Sequence, residues 1–170
     1  MFVGLAAFVS GCVTEPQTSN DDGLETLVSA SDFNLYGKTL DDEDFDWQSL
    51  RGKYVLVKFT ATWCPPCKTE IPGMSEVYEK YRDKGFEIVS VYIWERGGNE
   101  GIRRFVEQEK LPWIIISEPL TENAGLPPQG ERLGVPSVPT MLIVDKEGNV
   151  HATNTRGEKL KTELKKLFGE

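Results

Sequence analysis

The 170-residue chain is short of the residues that cross-link small domains or bind metals: it holds three cysteines and one histidine. Three cysteines exclude a dense framework of structural disulfides. No apolar run nears the roughly 20 residues needed to span a bilayer. There is no Lys/Arg run and no basic-aromatic stripe, and the net charge is −8. Nucleic acid phosphates find no footing on such a chain, so nucleic-acid partners are excluded. No internal repeat at a fixed period is visible. What is present is ordinary for a globular protein. The chain is 39% hydrophobic and 27% charged, and long enough for one domain with a substantial core.

The N-terminus departs from that average. "MFVGLAAFVSGC" is a short apolar run that ends in small residues and a cysteine. Val9-Ser10-Gly11-Cys12 resembles a bacterial lipoprotein signal, although no Lys or Arg precedes the run. The resemblance implies that Cys12 becomes the lipidated first residue of the mature protein and anchors it to a membrane. Residues 1–12 are therefore expected to be a signal. Residues 13–31, polar and acidic, are expected to be a flexible tether, and 32–170 the folded domain.

Within the domain, apolar alternations around Gly37 and Gly52 predict a hairpin that leads into the fold. "YVLVKFTA" (54–61) predicts a strand with Val55, Val57 and Phe59 on one face. Ile71, Met74, Val77, Tyr78 and Tyr81 follow helical spacing to about Lys84, where Gly85 should stop the helix. Further strands are predicted at 86–94 and 113–117. A helix is predicted at 99–110, with Asn99 as its cap. A Pro/Gly-bearing segment, 118–134, has room for one helical turn. Strands at 140–145 and 149–154 flank the turn "KEG", and an amphipathic helix with Leu160, Leu164, Leu167 and Phe168 on one face closes the chain. Strand-helix-strand-helix-strand, then a hairpin and a helix, predicts an α/β fold with a mixed sheet covered on both faces.

The chemistry gathers in "KFTATWCPPCKTEIP" (58–72). With Cys12 set aside, Cys64 and Cys67 are the remaining thiols, three apart. The pair fits a redox couple, half a metal site or a structural crosslink. The motif, followed by "GVPSVPTMLIVDKEGNV" (134–150), resembles the thioredoxin superfamily, and within it the TlpA/ResA-type thiol-disulfide oxidoreductases. The resemblance runs from about Asp32 to Phe168. It implies a thioredoxin-like mixed sheet flanked by helices, with the predicted hairpin as an N-terminal extension. It implies a redox-active Cys64–Cys67 disulfide that needs no cofactor and no metal. Protein disulfides are the implied substrates, with a reducing role, apocytochrome c as a candidate target and a membrane thiol as electron donor. Val138-Pro139 matches the family's cis-proline. With Trp63, Pro65 and Pro66 it is expected to contact substrate. Glu70 matches a glutamate found three residues after the second cysteine in ResA-like proteins, where it is expected to guide protons at the pair.

Physical chemistry agrees with the resemblance. At the first turn of a helix, Cys64 meets unpaired backbone N–H groups that favour a thiolate, which makes it the attacking sulfur. Cys67, a turn inward, is shielded and resolves the mixed disulfide. Pro65 and Pro66 fit only where helical N–H groups lack partners anyway, and Pro72 is expected to kink the helix. Zinc would have to draw on Cys12 and His151, the latter expected at the surface of the last hairpin. A ring this small gains little from unfolded-state entropy, which weakens the structural-crosslink reading. Lys58 stands where thioredoxins carry a buried acid. Its stem is expected to be buried, with its charge reaching solvent or a carboxylate. Two other functions fit the fold less well. Peroxide reduction meets Ala61 where peroxiredoxins place a threonine. A redox-inactive binding module would not need an intact cysteine pair.

Overall fold

The structure, a computed structural model, describes residues 33–118 and 129–170. The signal, Cys12 and the tether fall outside the described residues, as does most of the segment at 118–134. Six strands form one sheet in the order β1-β4-β3-β2-β5-β6. They are β1 (Lys38–Thr39), β2 (Tyr54–Thr60), β3 (Phe86–Tyr92), β4 (Ile114–Ser117), β5 (Thr140–Val144) and β6 (Val150–Thr153). The helices are α1 (Pro65–Thr69), α2 (Ile71–Tyr81), α3 (Gly98–Glu109), α4 (Gln129–Arg132) and α5 (Gly157–Phe168). β2, β3 and β4 pair in parallel, and β1, β5 and β6 add antiparallel. This is the expected thioredoxin-like mixed sheet.

β2 is central and buried on both faces, which explains its unbroken run of β-branched and aromatic residues. Val55, Val57 and Phe59 join one core cluster, with Phe33, Leu35, Trp47, Leu50 and Leu133. Leu56 joins the other, with Ile71, Met74, Val77, Tyr81, Ile102, Leu160 and Leu164. The two faces are covered unequally. The apolar stripes of α2, α3 and α5 lie on one face. The other face is covered by the N-terminal arm, its 3-10 turn at Trp47–Leu50 and the chain around α4.

Several boundaries moved for physical reasons. The expected kink is a break: α1 ends at Thr69, and Pro72, lacking an N–H, sits in the first turn of α2. A short 3-10 turn follows α2 and ends at Gly85, whose φ of 91° needs the left-handed region. β3 stops at Tyr92 because Trp94 turns out of the strand at φ 55°. α3 begins one residue before Asn99, with Gly97 at the cap position and no side-chain cap, so Asn99 does not cap it. The N-terminal hairpin is small: Lys38 bridges Asp44, while β1 itself pairs with β4 and forms the edge of the sheet. Gly37 is needed there, since a Cβ would come within 2.9 Å of the Ser117 carbonyl oxygen. Buried Gln129 ties this arm to β4. Its side chain bonds both the N–H and the carbonyl of Tyr36, and its own N–H donates to the Glu118 carboxylate. Burial pushes the Glu118 carboxyl up.

Candidate active site

β2 delivers the chain to the C-terminal edge of the parallel strands, where a tight turn leads into α1. Cys64 is the N-cap of α1, in extended conformation, and Pro65 and Pro66 occupy the first turn. Their missing N–H groups cost nothing there. The Cys67 N–H points back to Cys64 and lies 3.2 Å from its Sγ. Cys64 and Cys67 are joined by a disulfide, with their Cα atoms 5.3 Å apart. Both residues are only 2% exposed, so burial in the oxidised form does not rank them as attacking and resolving. Their surroundings do differ. Cys64 Sγ lies 3.7 Å from the Val138 carbonyl oxygen, and Cys67 sits over the sheet.

Val138–Pro139 is cis, as the motif implied. Val138 packs on the small cluster of Ala61, Cys64 and Cys67. Trp63 is 47% exposed beside the disulfide. Its indole N–H donates to the Trp94 carbonyl at 3.0 Å, and the Arg96 guanidinium lies 5.7 Å from its ring. Between those two residues, the Glu95 carboxylate is buried and accepts both the N–H and the hydroxyl of Thr62. Trp94, Glu95 and Arg96 thus clasp the turn that carries Cys64. Sequence reasoning missed this clasp. One signal was available: a carboxylate directly after an apolar strand, at the strand ends where α/β sheets place their sites.

Lys58 corrects the expectation that its charge reaches solvent or a carboxylate. It is 3% exposed, and Nζ donates to the Cys67 carbonyl at 2.8 Å. Burial lowers its pKa to about 8, with Glu70 favouring the proton and Arg156 opposing it. Glu70 itself reaches across to α5. Its carboxylate accepts from the Arg156 side chain at 3.0 Å and from the Gly157 N–H at 3.3 Å. His151 is exposed, with Nε2 3.8 Å from a Glu163 carboxylate oxygen. Among the described residues, no three His, Cys, Asp or Glu side chains converge to hold a metal.

Residues 28–168 match the Redoxin family model. The chain belongs to the redoxin family. This redoxin is 32% identical over 153 residues to the thiol-disulfide oxidoreductase ResA of Bacillus cereus, spanning 88% of the chain and 80% of that protein. The thioredoxin-like protein YneN of Bacillus subtilis is 28% identical over 87% of the chain and 82% of its own length. Among solved structures, the thioredoxin domain of a Bacteroides vulgatus thiol-disulfide oxidoreductase superposes with a TM-score of 0.69 at 26% identity. That match covers 82% of this chain and 96% of the other. With its closed Cys64–Cys67 pair, this redoxin is a thiol-disulfide oxidoreductase of the ResA type.

Proposed function

We propose that the protein reduces disulfides of other proteins outside the cytoplasm, held to a membrane by lipid on Cys12. Cys64 attacks the substrate disulfide, and Cys67 resolves the mixed disulfide and leaves the pair oxidised. A membrane thiol donor recharges it. Apocytochrome c, with its paired cysteines, is the candidate target. The observation that carries this reading is the closed pair at the N-cap of α1 with the cis Val138–Pro139 bond against it. An extended substrate segment laid along Val138 would bring its own disulfide to Cys64, beside Trp63, Pro65 and Pro66. Support for the reducing direction comes from the likeness to ResA, and support for the anchor from "VSGC" at 9–12.

Trapping tests the chemistry. Cys67→Ser keeps the attacking sulfur and loses the resolving one, so it should accumulate mixed disulfides on non-reducing gels. Cys64→Ser should trap less by about tenfold or more, because attack needs the accessible thiolate. Equal trapping by both variants would reject the division of labour. Reduction of insulin by the wild-type protein tests the direction. The anchor is tested by fractionating cells that express the full chain or Cys12→Ser: only the unaltered chain should stay with membranes.

A further inference from the structure

The reaction above uses two sulfurs and the Val138 backbone, and makes no use of the buried charge of Lys58. Lys58 lies at the centre of the sheet, paired with Ser90 on β3 and Met141 on β5, neither of them charged. Its stem is long enough to seek water, yet Nζ is held on the carbonyl of the residue that carries the inner sulfur. From α1 it meets the backbone carbonyl of Cys67. The charged side chains that act on it are Glu70, at the α1–α2 junction, and Arg156, before α5. Those two are paired with each other and act on Lys58 in opposite directions. Burial is then the dominant influence, and the amine exchanges its proton near neutral pH. Opening the disulfide puts two electrons on the pair. A thiolate that appears beside a desolvated ammonium stabilises it, and is stabilised in return, so the two groups titrate together.

We propose that Lys58 is a positioning residue of the redox pair: it carries the counter-charge for the thiolate of Cys67 and exchanges a proton with the pair as the disulfide opens and closes. In the closing step the Cys67 thiolate attacks Cys64 Sγ of the mixed disulfide. The Cys67–Cys64 bond forms, the Cys64–substrate bond breaks, and the electron pair leaves on the substrate sulfur. The substrate disulfide is the oxidant and gains the two electrons that the pair loses. The proton of Cys67 passes to the Lys58 amine and on to solvent, from which the departing thiolate is protonated. This inference rests on redox cycling of Cys64 and Cys67, in whichever direction electrons flow.

The wild-type protein supplies the first test. The Lys58 Cε resonance should titrate with a midpoint near 8 when the pair is oxidised. On reduction that midpoint should rise by a unit or more, a tenfold change in proton affinity. An identical midpoint in both redox states would overturn the proposal. Lys58→Gln supplies the second, because it keeps a polar donor, one bond shorter, and carries no charge. The pH profile for resolving a mixed disulfide between Cys64 and glutathione should move up by a unit or more. The equilibrium with glutathione should shift at least tenfold toward the disulfide. A wild-type profile and equilibrium in Lys58→Gln would reduce the lysine to a cap on α1. A wild-type pair that does not exchange with glutathione at all would instead overturn the oxidoreductase reading.

Discussion

Glu70 shows how one side chain couples the active-site helix to a distant element. Its carboxylate sits 86 residues in sequence from Arg156, yet holds that guanidinium and the first N–H of α5 at once. Its charge also favours the proton on Lys58. Glu70→Gln keeps the shape and removes the charge. Stability should fall by about 1 kcal/mol or less, since the Arg156 partner is partly solvated. Thermal unfolding measures that loss. The pH profile of Cys64 alkylation should move toward lower pH, because a negative charge three residues after Cys67 is gone. An unmoved profile would leave Glu70 as a tie between α1 and α5 and nothing more.

At the scale of elements, the clasp at Trp94–Arg96 shows why a strand ends where it does. β3 could have run to Trp94 on its apolar content, but the chain leaves the sheet after Tyr92 so that three residues can grip Thr62 and Trp63. Glu95→Ala would leave the Thr62 N–H and hydroxyl without their shared acceptor. Loss of a buried partner costs about 1–3 kcal/mol, read as a lower denaturant midpoint. Trp63 fluorescence should change with it, and an unaltered midpoint would show that the turn holds itself. Elements whose signal is local were legible in the sequence. α2 and α5 each carry a 3.6-period stripe, and the predicted face residues are buried, or partly buried at Leu167 and Phe168. β2 and the last hairpin are marked by β-branched runs and a Gly-bearing turn. The cis bond at Val138–Pro139 was legible only through its motif. Of the clasp only the carboxylate after a strand was legible; its contacts join residues 31 to 33 apart that no periodicity links. The seat of Lys58 was not legible, because it depends on how far α1 leans over the sheet.

For the whole molecule, the buried lysine sets a pH dependence. Its folded pKa is about 8, against 10.5 for a free side chain. A depressed lysine favours the fold fully above 10.5, and that contribution is lost as pH falls through about 8. The difference corresponds to about 3 kcal/mol at pH 7, as an order of magnitude. Lys58→Met removes the titration. The stability of the oxidised variant relative to wild type should therefore be higher at pH 7 than at pH 10 by about that amount. Any fixed cost of leaving the Cys67 carbonyl without its donor cancels in the comparison. Urea unfolding at several pH values measures it, and a difference that stays flat with pH would refute a buried, titrating amine.

Lys58, the Trp94–Arg96 turn and Val138 all lie outside residues 61–72 and reach into them: Lys58 onto the Cys67 carbonyl, Trp94 onto the Trp63 indole, and the Val138 carbonyl to within 3.7 Å of Cys64 Sγ. The CPPC stretch is therefore not a transplantable cassette. Copying residues 61–72 into a foreign scaffold would carry over the thiols and the prolines and leave the reactivity behind. Conversely, a sister protein could retain every letter of that stretch and still work at a different potential, through changes written at 58, 95 or 138 alone.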